Sequence, residues 1–147
     1  MTSQILKDKI RKKKYAKVKL FYASLPHPQE LNLGGIYDEV YGYKKRRGTS
    51  PITIPKNVFQ KYWSQVPIKE RIKRTISLND ELERLFMKYN LDAINPLATP
   101  KGQEIVKSIH KHTSMSVGDV IQIGKSKRIV ANRGFKKLFL GKKEFKF

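Results

Sequence analysis

Apolar residues recur along this chain at two kinds of spacing, and these mark out its helices and strands. The clearest helical stripe is Leu78, Leu82, Leu85, Phe86 and Tyr89. Ser77 stands before it as an N-cap, and Asp80 and Glu81 put negative charge in the first turn, so a helix is predicted over Leu78–Tyr89. A second helix is predicted over Pro100–Ile109. Thr99 caps its free donors, Pro100 suits the first helical position, and Ile105, Val106 and Ile109 share one face. His110, Lys111 and His112 fall at or past its end, where positive charge meets the negative pole of the helix dipole. Val58, Phe59, Tyr62, Trp63 and Val66 form another apolar stripe. That stripe predicts a helix over Lys56–Gln65, stopped by Pro67, with Trp63 in the core.

Strands are read from other stretches. Val18–Ala23 is rich in β-branched and aromatic residues, and Leu25-Pro26-His27-Pro28 ends it. Ile68, Ile72 and Ile76 suit a helix by fours, yet they also share one face of a strand. A strand over Lys69–Thr75 is preferred because the cap Ser77 follows at once; Lys69, Arg71 and Lys73 then line its opposite face as a basic ridge. Val117–Ile123 and Lys127–Asn132 make two more strands joined by a turn that opens at Gly124, and Gly141 reads as a turn between two short strands. The expected fold is α+β: a small mixed or antiparallel sheet with about three helices packed on it. Residues 1–17 form a basic flexible arm in this reading, and residues 18–147 form a single domain. A chain of 147 residues can bury roughly two-thirds of its unfolded surface.

Three segments carry a resemblance: NPLATPKGQ from Asn95, HTSMSVGDVIQI from His112, and Arg133-Gly134-Phe135. Together they resemble the C-terminal half of an uncharacterised family of small proteins encoded by bacteriophages and other mobile elements. In that family a capped helix precedes the NPL segment, as Ser77–Tyr89 does here, and an early strand resembles Val18–Ala23. The resemblance covers Leu78–Leu138. It implies a phage-type origin and an α+β class, with residues 77–140 as the family-like core and 26–66 as an insertion. It implies no site residues.

Charge changes the picture most. Lysine and arginine number 32 against 12 acids, a formal net charge of +20. Solubility does not require a balance this lopsided, whereas a polyanionic partner does exploit it. The cations are also segregated. Met1–Lys19 holds eight of them against Asp8 alone, and Lys125–Phe147 holds nine against Glu144 alone. Between them, Ser77–Glu104 holds five acids against three bases. The N-terminal block reads as an arm that binds nucleic acid or as a solvated tail. Tyr37, Tyr41 and Tyr43 precede the run Lys44–Arg47. Either the rings stack on bases while the cations take phosphates, or Tyr37 and Tyr41 pack under a short helix beside an exposed loop. The pattern does not decide between these.

The candidate phosphate contacts are therefore Arg11, Lys12, Lys13 and Lys14; Tyr43 with Lys44, Lys45, Arg46 and Arg47; and Arg133, Lys136 and Lys137.

Catalytic chemistry finds little support. The chain has no cysteine, which excludes disulfides and thiolate sites and agrees with a reducing cytoplasm. His110 and His112 sit two apart, and a metal would need further ligands, with Glu104 and Asp119 the nearest acids in sequence. Ser114 and Ser116 lack a glycine-flanked elbow, and no paired carboxylates stand out. No catalytic residue, metal or cofactor is expected; the hydroxyls of His112–Gly118 are expected to bond the backbone of a buried loop. No apolar run approaches the roughly 20 residues of a membrane span, and the N-terminus lacks the apolar core of a signal peptide. The expected location is a host cytoplasm or a virion, without a membrane partner. The expected function is non-enzymatic binding of DNA or RNA through phosphates, a contact that carries no sequence specificity directly. The alternative is a protein-binding accessory within a phage or host complex. That would be a virion or replication component, or an inhibitor docking its cationic face on an acidic groove.

Overall fold

The computed structural model describes residues 14–33, 35–41 and 51–147. In chain order the elements are β1 (Tyr15–Ala23), α1 (Ile36–Tyr41), β2 (Ile52–Pro55), α2 (Lys56–Tyr62) and β3 (Trp63–Lys73). Then follow α3 (Leu78–Lys88), a 3-10 turn (Pro96–Ala98), α4 (Pro100–Ser108), β4 (Val120–Ile123), β5 (Ser126–Val130) and β6 (Phe135–Gly141). The strands form one sheet in the order β2-β6-β5-β4-β1-β3. Only the β2–β6 pair is parallel, so the sheet is mixed and the α+β class holds.

Alternation along each strand divides the side chains between two cores. On the first face Ala16, Val18, Leu20 and Tyr22 of β1 meet Val66, Ile72, Ile121 and Val130. Leu82, Leu85 and Tyr89 from α3, Leu97 from the turn and Val106 from α4 cover them. On the second face Val120, Ile129, Leu138, Ile52 and Ile54 lie beneath Ile36 and Val40 of α1 and Val58 and Phe59 of α2. The helical layers thus cover opposite ends of opposite faces. One quadrant of each face stays open among the described residues.

The NPLATPKGQ segment is a joint between helices. Asn95 accepts a hydrogen bond from the Leu97 N–H (2.9 Å), and its amide donates to the carbonyls of Tyr89 and Thr113. The Thr99 hydroxyl accepts from the Gly102 N–H (3.0 Å) and donates to the Pro96 carbonyl (2.8 Å). Gln103 donates to the Leu97 carbonyl and the Thr113 hydroxyl. A Cβ on Gly102 would lie 2.3 Å from the Pro96 carbonyl oxygen, so only glycine lets α4 pack this closely on the turn. At its far end α4 closes in a Schellman motif. Lys111 donates to Val106, His110 donates to Lys107, and His110 takes the left-handed position at φ 54°.

Several expectations need correction. The sheet has six strands and the described chain four helices, where a small sheet and about three helices were expected. The helix expected over Lys56–Gln65 ends at Tyr62, and the chain runs on as β3, through Pro67, to Lys73. Pro67 is tolerated because β3 is an edge strand and its pairing with β1 is irregular there, between Val18 and Leu20. β3 therefore starts six residues before the predicted strand Lys69–Thr75. The predicted strand Val117–Ile123 starts only at Val120, because Val117–Asp119 is a turn held by the Asp119 N–H on the Ser116 carbonyl. The predicted strand Lys127–Asn132 runs Ser126–Val130 instead. β6 is one strand that ends at Gly141, with β2 beside it, in place of two short strands about a turn. Tyr15–Lys17, placed in the arm by sequence, belong to β1.

Candidate nucleic-acid interface

The open quadrant of the second face is built from β1 and β3. Alternation buries Ala16, Val18 and Leu20 and so turns Lys17 and Lys19 outward. On β3 Lys69 and Arg71 are exposed, as the basic-ridge reading anticipated. The register sets Lys17 directly opposite Arg71. Like charges directly facing each other across a sheet are destabilising. Arg71 is held in place by its guanidinium, 4.3 Å above the Tyr15 ring. Lys17, Lys19, Gln65, Lys69 and Arg71 line a groove of about 590 Å³, with Val18 and Ile68 as its apolar lining and Glu70 as its one acid.

The carboxylates of Glu70 and Glu81, the acids next to this surface among the described residues, are engaged by other partners. Glu70 lies between Lys69 and Arg71 in sequence but points to the first face, where Lys88 Nζ and the Tyr89 hydroxyl each donate to Oε2 at 2.8 Å. Burial pushes its carboxyl up, yet those bonds and the Lys88 charge outweigh burial and hold it below its ordinary value. Glu81 is likewise pushed up by burial and brought net downward by Arg84 and by the Lys73 N–H, which it accepts at 2.7 Å.

The second open quadrant lies on the first face, along the β5–β6 hairpin. Arg128 stands opposite Lys137, another facing pair of cations. Lys125, Ser126, Lys127, Arg128, Lys137 and Phe139 line a hollow of about 180 Å³ there.

The sequence-derived candidates divide. Lys14 is exposed at the start of β1, with its carbonyl accepting from Arg74 (2.7 Å). Arg133 is exposed in the β5–β6 turn, and Lys137 is exposed on β6. Lys136 is only 7% exposed, because it faces Ile129 on the second-face core, so it is corrected from a surface contact to an inward residue. Arg11, Lys12, Lys13, Tyr43, Lys44, Lys45, Arg46 and Arg47 lie outside the described residues. Tyr37 and Tyr41 pack on each other at 4.8 Å from within α1, which is the packing reading of that pair. Lys17, Lys19 and Arg128 were not singled out by sequence. For the first two, the signal was a lysine at every second position against a buried alternate.

The histidine segment forms a separate, inward arrangement. Asp119 is 1% exposed; its carboxylate accepts from the Ala23 N–H (2.8 Å) and the Ser116 N–H (2.8 Å) and pairs with His112 Nε2 (2.7 Å). Burial pushes the Asp119 carboxyl up, against the downward pull of His112 and the two backbone donors. The His112 ring stacks flat on buried Tyr22 at 4.7 Å. The Ser116 hydroxyl also approaches His112 Nε2, at 3.4 Å. Serine and aspartate thus meet the same ring nitrogen, whereas a nucleophilic relay needs them on opposite nitrogens. The expected loop hydroxyls are less important than this carboxylate, which ties the turn to β1. Among the described residues no three histidine or acidic side chains converge as a metal site would need.

No helix among the described residues is long and apolar enough to cross a membrane. Compared with known protein families and with solved structures, the chain matches none. It is similar to an uncharacterized protein of Acanthamoeba polyphaga mimivirus, with 41% identity over 59 residues. That match takes in 40% of this chain, and it spans about half, 54%, of the relative's length. The likeness points to a viral kinship.

Proposed function

We propose that this is a non-enzymatic nucleic-acid-binding accessory protein of a virus or mobile element, gripping phosphates with the open quadrants of its sheet. One observation carries the reading: Lys17 facing Arg71 across β1 and β3, with Lys19 and Lys69 beside them and Glu70 turned to the other face. A fold gains nothing from opposing like charges, whereas a phosphate bridging them is held by both. Lys14 stands at the start of β1, Arg133 and Lys137 belong to the β5–β6 hairpin and its open quadrant on the other face, and the cationic sequences at Arg11–Lys13 and Lys44–Arg47 add charge from outside the described residues. The partner is DNA or RNA, met in the host cytoplasm or packaged in the virion. The bacteriophage-type resemblance and the mimivirus relative both support such an origin.

The second reading, a protein-binding accessory, is favoured by a different feature. Met87, Leu91 and Ile94 are all at least half exposed and line one groove beside Asp80 and Glu83.

Titration of labelled single- and double-stranded DNA and RNA at low and moderate salt tests the first reading. Submicromolar binding that falls steeply with salt is expected. Weak binding at every salt concentration would remove it and leave the protein-binding reading.

A further inference from the structure

The quadrant on the β5–β6 hairpin differs from the one on β1–β3 in carrying an exposed ring. Phe139 lies two residues beyond Lys137 on the same side of β6, about 7 Å along the strand. It is 53% exposed and stacks on no other ring among the described residues. A lone exposed phenylalanine says little by itself. Its neighbours give it meaning. Arg128, facing Lys137, donates a hydrogen bond from Nη1 to the Ser126 hydroxyl at 2.7 Å, on the same side of the hairpin as Phe139. Lys127 turns to the second face, its Nζ 5.8 Å over the Phe59 ring. Lys125 completes the rim, and no acid among the described residues lines the hollow. At about 180 Å³ it is smaller than the roughly 300–1,000 Å³ usual for small-molecule sites, so it suits one unit of a chain better than an enclosed free ligand.

We propose that Phe139, Arg128 and Lys137 form a single-strand site, with the ring stacking on one base and the two cations taking the adjoining phosphate. The proposal rests on the polyanion reading above and adds to it the class of strand. A duplex buries its base faces in its own stack and shows only edges in the grooves, so an exposed ring has nothing to stack on there. A single strand offers both faces of every base, and the stacking is indifferent to sequence.

The test is fluorescence anisotropy on the full chain with a labelled polypyrimidine DNA strand and with a duplex of equal length. Phe139→Leu is expected to weaken single-strand binding roughly 5- to 100-fold and to leave duplex binding within about twofold. Phe139→Tyr, which keeps a stacking face, should retain single-strand affinity. Lys137→Gln should weaken both substrates and flatten the salt dependence of each. Thermal melts of all three should match the parent, since both side chains are exposed. If Phe139→Leu binds the single strand as well as the parent, or loses both substrates equally, the site is overturned while the polyanion reading stands. If the parent binds neither substrate, both fall together.

Discussion

Glu70 illustrates how much a single residue's role depends on partners that sequence does not place beside it. Its neighbours Lys69 and Arg71 face outward, while it reaches inward to Lys88 and Tyr89, 18 and 19 residues on. Because its carboxyl is held below the ordinary 4.5, its contribution to stability is present above that value. It is lost as pH falls through the lowered folded value. Glu81 is shifted in the same direction and adds to the same acid limb. Asp119 runs the other way: its raised carboxyl favours the fold below its ordinary value, and that contribution is lost as pH rises through the folded value. Glu70→Gln should therefore cost about 1–3 kcal/mol at neutral pH and shallow the loss of stability below pH 4.5. Urea denaturation of parent and variant at pH 7 and at pH 3 reads both effects; an unchanged midpoint at pH 7 would mean that the two bonds contribute nothing. The caps Ser77 and Thr99 were legible because a cap acts on its own chain within a few positions. Asp119 was not, because its most distant donor, Ala23, is 96 residues away.

At the scale of elements, the misread stretch is the most instructive. Val58, Phe59, Trp63 and Val66 keep helical spacing, yet Val66 belongs to the first core and the other three to the second. One stripe on paper serves two faces of a sheet, since a strand entering at Trp63 sends alternate residues to opposite sides. The ring of Trp63 is buried as its spacing predicted, with its indole N–H donating to the Gly118 carbonyl at 2.8 Å. Proline at 67 argued for a helix stop because nothing in the sequence marks β3 as an edge strand. The pairing of β1 with β3 also yields a test that separates fold from function. Lys17→Glu turns the facing cations into an opposite-charge pair and should stabilise the protein by about 0.2–1 kcal/mol. The same change should weaken nucleic-acid binding, because a phosphate contact is replaced by a repulsion. Thermal melting and anisotropy on one variant give both readouts. A variant that is more stable and binds less well identifies Lys17 as a residue kept for its ligand; one that binds as before removes β1 from the interface.

For the whole molecule, the decisive property is that charge and coverage follow the same diagonal. Helices cover one end of each sheet face, and the ends left open among the described residues carry facing cations, Lys17 with Arg71 and Arg128 with Lys137. A net charge of +20 on 147 residues repels itself in the folded state, and added salt screens that repulsion. The free protein should accordingly melt at a higher temperature as salt is raised from about 50 to 200 mM, within the range where the Debye length falls through roughly 10 Å. Bound nucleic acid should respond with the opposite sign. Each phosphate neutralised releases counterions, and some six contacts would lower affinity by about a thousandfold over that range. A saturating oligonucleotide stabilises the folded state in proportion to the logarithm of its concentration over Kd. The melting temperature of the complex should therefore start well above that of the free protein at low salt and approach it as salt rises. Two melting series, with and without oligonucleotide, test this directly. Converging curves place the cations in the interface, and parallel curves would mean that binding is held by something other than charge.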